Sequence, residues 1–285
     1  MCYTDLQMGR SVCPDGRKFM LNWLRKILFV LLLGIFFYSS VTLIRYWCNS
    51  RKQAELFTDL AQSVEAAKKT PVSTVDPELP TLPGKTPDRP RRILPEYQAL
   101  YQRNSDMAGW ISIPDTCINY PVMHTPQAQD AYLYANFQKE YSAQGSIFVQ
   151  GNCDLNRPSD NIILYGHNMR DGSMFAALSS YLDPDFYAEH PIICFDSLYE
   201  RRTYEIICVF ITTATLGEGF DYPAFVEALS PEDFDAYVDQ CMALSEYDTG
   251  ISAKYGDHLL TLSTCNYSRE NGRLVVVAKQ AENEE

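Results

Sequence analysis

Residues 258–280 read HLLTLSTCNYSRENGRLVVVAKQ, two apolar runs rich in Leu, Val and Thr separated by the polar loop NYSRENG. Each run has strand length and strand composition. Their near-continuous apolar character is that of strands buried on both faces or closed into a barrel. Working outward, the same kind of run recurs at GWISI (109–113), CINYPV (117–122), SIFV (146–149), NIILYG (161–166), IICFD (192–196) and RTYEIICVFITT (202–213). Helical signals are few: EYQALYQRNSD (96–106), MFAALSSYL (174–182) and PEDFDAYVDQCMALS (231–245), the last with Pro at its start and acidic residues in its first turn. Eight strands and few helices predict a mainly β fold, an eight-stranded barrel with an N-terminal helix and a helix between strands 6 and 7, rather than a doubly wound sheet.

Toward the N-terminus the chain changes character. Residues 27–44 (ILFVLLLGIFFYSSVTLI) are uncharged and mostly apolar, bracketed by Arg25 and Lys26 before and Arg45 after. That length just spans a bilayer as a helix. No small-x-small cleavage site follows, so the segment reads as an uncleaved signal anchor, one transmembrane helix. Arg17, Lys18, Arg25 and Lys26 on its N-terminal side, against Arg45, Arg51 and Lys52 after it, lean towards an N-terminus inside and the bulk of the chain outside the cytoplasm. The expected layout is a cytoplasmic segment (1–26), the anchor (27–44), a juxtamembrane helix and Pro-rich stalk (45–92), one folded domain (93–280) and an acidic tail (281–285). The juxtamembrane helix is read from Leu56, Leu60 and Val64 at helical spacing. The stalk is read from 7 of the 16 prolines falling between Pro71 and Pro95, an extended spacer reaching at most about 75 Å.

Composition excludes several classes of function. A formal net charge of −12 disfavours phosphate-backbone binding, which needs clustered Lys and Arg, so no nucleic-acid partner is expected. The 9 cysteines show no CxxC pair, no zinc-ligand spacing and no dense disulfide framework, so neither metal nor cofactor is expected. Cys194 and Cys208 lie inside apolar runs and read as small buried hydrophobes. Cys2, Cys13 and Cys48 flank the membrane segment, where lipidation is an option.

Three residues at strand ends carry the chemistry. Cys265 ends HLLTLSTC and opens onto the polar loop, His167 ends NIILYGH, and Arg273 begins the last run just after Gly272. Cysteine catalysis needs a thiolate, a base that can also protonate a leaving amine, and a donor for the oxyanion, and these three residues supply one of each. His124 and His190 lack such a context; His258, also beside a strand, is the rival base.

TLSTC (261–265), followed by Arg273 in GRLVVVAK, closely resembles the active-site signature of sortases, and NIILYGHNMRDGSMFAAL (161–178) resembles the segment carrying their catalytic His. The opening LYQRNSDMAGWISIPDTCINYPV, the stretch GSIFVQGN and a helix between the sixth and seventh strands resemble class B in particular. The resemblance covers roughly residues 93–280 and implies a sortase-type barrel. It also implies a membrane-anchored thiol transpeptidase that cleaves a C-terminal sorting motif of an exported protein and joins the new carboxyl end to an amine of the cell wall, a peptidoglycan precursor, or a pilin. Cys265 is then the nucleophile, His167 the acid and base, and Arg273 the oxyanion donor, aided by a backbone N–H near Asn266. Arg273 cannot accept a proton from imidazole, so a dyad plus Arg is expected rather than a triad. The resemblance further implies that Tyr165, Ser263 and Thr264, with Asn266, border the substrate groove.

Two other functions share these features. Water in place of the amine would make a cysteine peptidase releasing surface proteins, and a barrel that merely displays a groove would make a non-catalytic exported binding module.

Overall fold

The computed structural model describes residues 16–69, 92–215 and 217–281. Most of the Pro-rich stalk, the first part of the N-terminal segment and nearly all of the acidic tail therefore lie outside the described residues. The chain divides into two compact units, Met1–Lys52 and Gln53–Glu285. One long helix, α1 (Gly16–Lys69), contributes to both.

In the first unit α1 exposes its apolar side chains, Phe29, Phe36 and Leu43 among them. A helix apolar all round is suited to an apolar solvent. Among the described residues it is the one helix long and apolar enough to cross a membrane.

The second unit is built on a closed barrel of eight strands: β1 (Met107–Ser112), β2 (Asn119–Met123), β3 (Ile147–Val149), β4 (Asn161–Tyr165), β5 (Ile192–Ser197), β6 (Thr203–Thr213), β7 (Leu259–Cys265) and β8 (Gly272–Gln280). Their order around the barrel is β1-β2-β3-β4-β7-β8-β6-β5, with β5 returning to β1. The pairings β2–β3 and β4–β7 are parallel and the others antiparallel. Closure leaves no unpaired sheet edge.

Near-continuous apolar runs arise because β6, β7 and β8 are covered on both faces. Ile206, Val209, Leu260, Leu262, Leu274, Val276 and Ala278 fill the main core. The alternating Ile207, Phe210, Leu259, Val275 and Val277 form a second core with Phe234, Tyr237, Val238 and Cys241 of α4 (Pro231–Leu244). A register shift between Ile206 and Cys208 turns both Ile207 and Cys208 to the α4 side. Cys208 is fully buried, as a small hydrophobe would be, whereas Cys194 is only partly buried.

The helix between strands 6 and 7 starts where its residues dictate. Ser230 caps it by accepting from the Asp233 N–H at 3.2 Å, Pro231 occupies the first turn, and Glu232 and Asp233 face the positive end of the helix dipole. The short N-terminal helix of the barrel domain, α2 (Pro95–Arg103), stops at Asn104, because the amide of Asn104 donates to the Tyr132 hydroxyl and the Phe137 carbonyl and its carbonyl oxygen accepts from the Asp106 N–H. Residues 174–182 condense into a 3-10 helix, Ala176–Leu182, followed by α3 (Pro184–Glu189), which Asp183 caps. Residues 53–69 of α1 turn Gln53, Phe57, Leu60 and Val64 inward, and Phe57 meets Tyr120 of β2 edge-on at 5.2 Å.

Candidate active site

The barrel brings the predicted site together through register. In the parallel pair β4–β7, Tyr165 lies beside Ser263, so His167, two residues beyond the end of β4, emerges next to the end of β7. In the antiparallel pair β7–β8, Cys265 faces Arg273 directly. All three side chains line one open cavity of about 240 Å³, together with Gln129, Asp130, Leu133, Phe148, Tyr165 and Thr264. Cys265, His167 and Arg273 are each partly buried, so they are held yet reachable.

Local bonds set their states. His167 Nε2 lies 2.8 Å from the Leu133 carbonyl oxygen. A carbonyl only accepts, so this nitrogen carries the proton, and Nδ1 is the acceptor of the neutral ring. The Tyr134 ring lies beside the imidazole, centroids 5.6 Å apart. The Arg273 guanidinium is steadied by the Gly272 carbonyl at 3.0 Å, and among the described residues no carboxylate stands within ion-pair distance of it. Its charge is therefore available to a ligand.

Tyr165, Ser263 and Thr264 also line the cavity, but their hydroxyls are engaged within the protein. Tyr165 donates to Gln150 Oε1 at 2.5 Å, Ser263 Oγ and the Tyr222 hydroxyl share a bond of 2.6 Å, and Thr264 donates to the Gly166 carbonyl at 2.7 Å. Burial pushes the phenols of Tyr165 and Tyr222 above the ordinary range, so both stay neutral. Asn266 stands apart from the other predicted residues. Its N–H donates to the Gly272 carbonyl at 2.9 Å and its side-chain oxygen accepts from Ser268, so this amide is committed to the turn and is no oxyanion donor in this conformation.

His258 is not a rival base. It precedes β7, whose seven residues put it about 20 Å along the strand from Cys265. Its Nδ1 is buried without a hydrogen-bond partner among the described residues, as is Nε2 of His124, whose pKa burial lowers.

Comparison with known proteins gives the family. A family model of the sortase domain matches residues 111–281. The chain is 32% identical over 262 residues to sortase B of Listeria monocytogenes, an overlap of 90% of this chain and 97% of the relative. The chain belongs to the class B sortases. This sortase is also 33% identical over 189 residues to sortase B of Staphylococcus aureus, 66% of this chain and 75% of that one. A solved S. aureus sortase B–substrate complex superposes with a TM-score of 0.69 at 26% identity, covering 83% of the present sortase and 100% of the other chain. The protein is accordingly a cysteine transpeptidase on a closed sortase barrel.

Gln129, Asp130, Leu133 and Phe148 are site residues that sequence reading missed. The first three sit in a loop without periodicity, and Phe148 looks like any strand aromatic. No signal in the chain marks them, because only closure of the barrel carries that loop over the end of β4.

Proposed function

We propose that this sortase cleaves a C-terminal sorting motif of an exported protein through a thioester on Cys265 and passes the acyl group to an amine of a peptidoglycan precursor or a pilin. The observation that carries the reading is the convergence of Cys265, His167 and Arg273 on one cavity. The Cys265 thiolate attacks the scissile carbonyl, and the oxygen, as it gains charge, takes hydrogen bonds from Arg273. His167, protonated, gives its Nδ1 proton to the leaving amine while its Nε2–H stays on the Leu133 carbonyl. The incoming amine then attacks the thioester and loses a proton to neutral His167. With the Asn266 amide engaged, Arg273 carries the larger share of oxyanion stabilisation.

The apolar stretch 27–44 serves in this reading as a single-pass anchor with the N-terminus inside and the domain 93–280 outside the cytoplasm. Tethering at the membrane face raises the local concentration of enzyme where exported precursors emerge.

The test incubates the full-length protein in detergent with a panel of sorting-motif peptides, with and without triglycine, under mass spectrometry. An acyl adduct on Cys265 and a ligated product that grows with amine concentration are expected. Hydrolysis alone at saturating amine would instead identify a peptidase. Undiminished turnover by Cys265→Ala would overturn the assignment of the nucleophile.

A further inference from the structure

The parallel ladder between β4 and β7 ends at Tyr165 and Ser263, yet the two chains stay joined for several residues beyond it. The Gly166 N–H still donates to the Ser263 carbonyl at 3.2 Å. Past that point side chains take over the pairing. Thr264 Oγ1 donates to the Gly166 carbonyl at 2.7 Å, and Asn168 Nδ2 donates to the carbonyl of Cys265 at 2.9 Å. The same amide reaches Ser179 Oγ at 3.2 Å. In return the Tyr267 hydroxyl donates to the Asn168 carbonyl at 3.0 Å. The strand end carrying the thiol and the loop carrying the imidazole are thus tied by bonds running both ways.

The loop itself is anchored. Asn168 pairs with Met174 as an antiparallel bridge, and the Phe175 N–H donates to the His167 carbonyl at 2.9 Å. Met174, in the left-handed region at φ 58°, donates its N–H to the Tyr120 hydroxyl at 3.1 Å. Asn168 is therefore held by residues on both sides and offers its amide from a fixed position.

We infer that Asn168 is a positioning residue of the transpeptidation reaction: its side-chain amide substitutes for the missing strand pairing at the end of β7 and sets the spacing of the Cys265 thiol from the His167 imidazole. The amide touches neither the sulfur nor the ring. It acts through the carbonyl of Cys265, which lies beyond the end of the β4–β7 ladder and takes its bond on that side from Asn168. A side-chain amide suits the task because it donates without charge. Aspartate, of the same shape, accepts only and would bring a negative charge beside the thiolate. Small displacements of reacting groups lower rates steeply, by up to about 100-fold for 1 Å.

The inference rests on the reading of Cys265 and His167 as the reacting pair, and its test separates the two. Full-length protein carrying Asn168→Ala, Asn168→Asp, Asn168→Gln or Tyr267→Phe is assayed for transpeptidation, for the pH profile of Cys265 alkylation by iodoacetamide, and for thermal unfolding. Asn168→Ala and Asn168→Asp are expected to lower kcat 10- to 100-fold. KM should stay within about twofold, because binding is unchanged, and the unfolding midpoint should hold. The pH profile of alkylation is expected to change, because the placement of the thiol relative to the imidazole changes. Asn168→Gln, which keeps the donor, should recover part of the rate, and Tyr267→Phe should show a smaller loss of the same kind.

An unchanged alkylation profile in both Asn168→Ala and Asn168→Asp overturns the inference, whatever happens to kcat, because a purely structural residue would lower activity and melting point together without moving that profile. If Cys265→Ala retains turnover, the reading of the reacting pair fails first. If Cys265→Ala is inactive and the Asn168 variants behave as wild type, only the positioning role fails.

Discussion

Arg273 shows how a single residue is placed for a task that neighbouring groups cannot share. Its guanidinium has no carboxylate partner among the described residues, and the nearby Asn266 amide is engaged by Gly272. Arg273→Ala is expected to lower kcat by about 100- to 1,000-fold, near 3 to 4 kcal/mol of barrier, with an unchanged unfolding midpoint. Steady-state kinetics with a reactive peptide, alongside a thermal melt, checks both halves. Tyr222 plays the opposite kind of part. Its hydroxyl shares a bond with Ser263, which is 1% exposed, so Tyr222→Phe leaves a buried hydroxyl without that partner. A loss of about 1 kcal/mol in chemical unfolding is expected. Cys265, His167 and Arg273, which line one cavity, could be picked out as candidates in the chain because reactive residue types stand at the ends of apolar runs. Tyr222, Leu133 and Asn168 were not, because each acts by a hydrogen bond to a residue far away in sequence, two of them through backbone carbonyls that no side-chain pattern announces.

At the scale of elements, the loop over the cavity and the helix beneath the barrel each carry a consequence. Gly145 sits at φ 58°, and a Cβ there would stand 2.4 Å from the Leu133 carbonyl oxygen and 2.7 Å from that of Tyr132. The Leu133 oxygen is the one that holds His167 Nε2. Gly145→Ala is therefore expected to destabilise by about 1 to 3 kcal/mol and to lower kcat as well, since moving that oxygen releases the imidazole. Calorimetry and kinetics on the same preparation check the pair of effects. In α1, Leu60 is fully buried against the barrel domain. Leu60→Ala should cost about 2 to 5 kcal/mol of stability while leaving kcat at low temperature intact, because the site lies elsewhere in the fold. The helical spacing of Leu56, Leu60 and Val64 was readable. What those residues pack on was not, since periodicity shows that a face is apolar and never names its partner.

For the whole molecule, stability at acid pH is tied to contacts that join the start of β1 to the loop after residue 130. Asp106 accepts from Lys139 at 2.7 Å and from the Tyr132 hydroxyl at 2.9 Å. Burial alone would raise its pKa, but the bonds from Lys139 and Tyr132 outweigh this and hold the carboxyl below the ordinary range. A depressed folded pKa means that the unfolded chain binds the proton first. The stabilisation is whole above the ordinary carboxylate value of about 4 and is lost as pH falls through the lower folded value. Asp106→Asn should thus be less stable than wild type by about 1 kcal/mol at pH 7, with the gap closing below about pH 4; melts across pH 2 to 7 measure it. The chain alone determined the eight strands, the helix between the sixth and seventh, the apolar N-terminal helix and the three candidate residues at strand ends, because strand burial, helix capping and residue chemistry are local properties. Tertiary structure decided which strands neighbour one another, which histidine lines the same cavity as the thiol, that the Asn266 amide is engaged, and which loop closes over the cavity. Those outcomes depend on barrel closure and on pairings between residues 97 and 100 apart, energies shared by distant parts of the chain and written in neither part by itself.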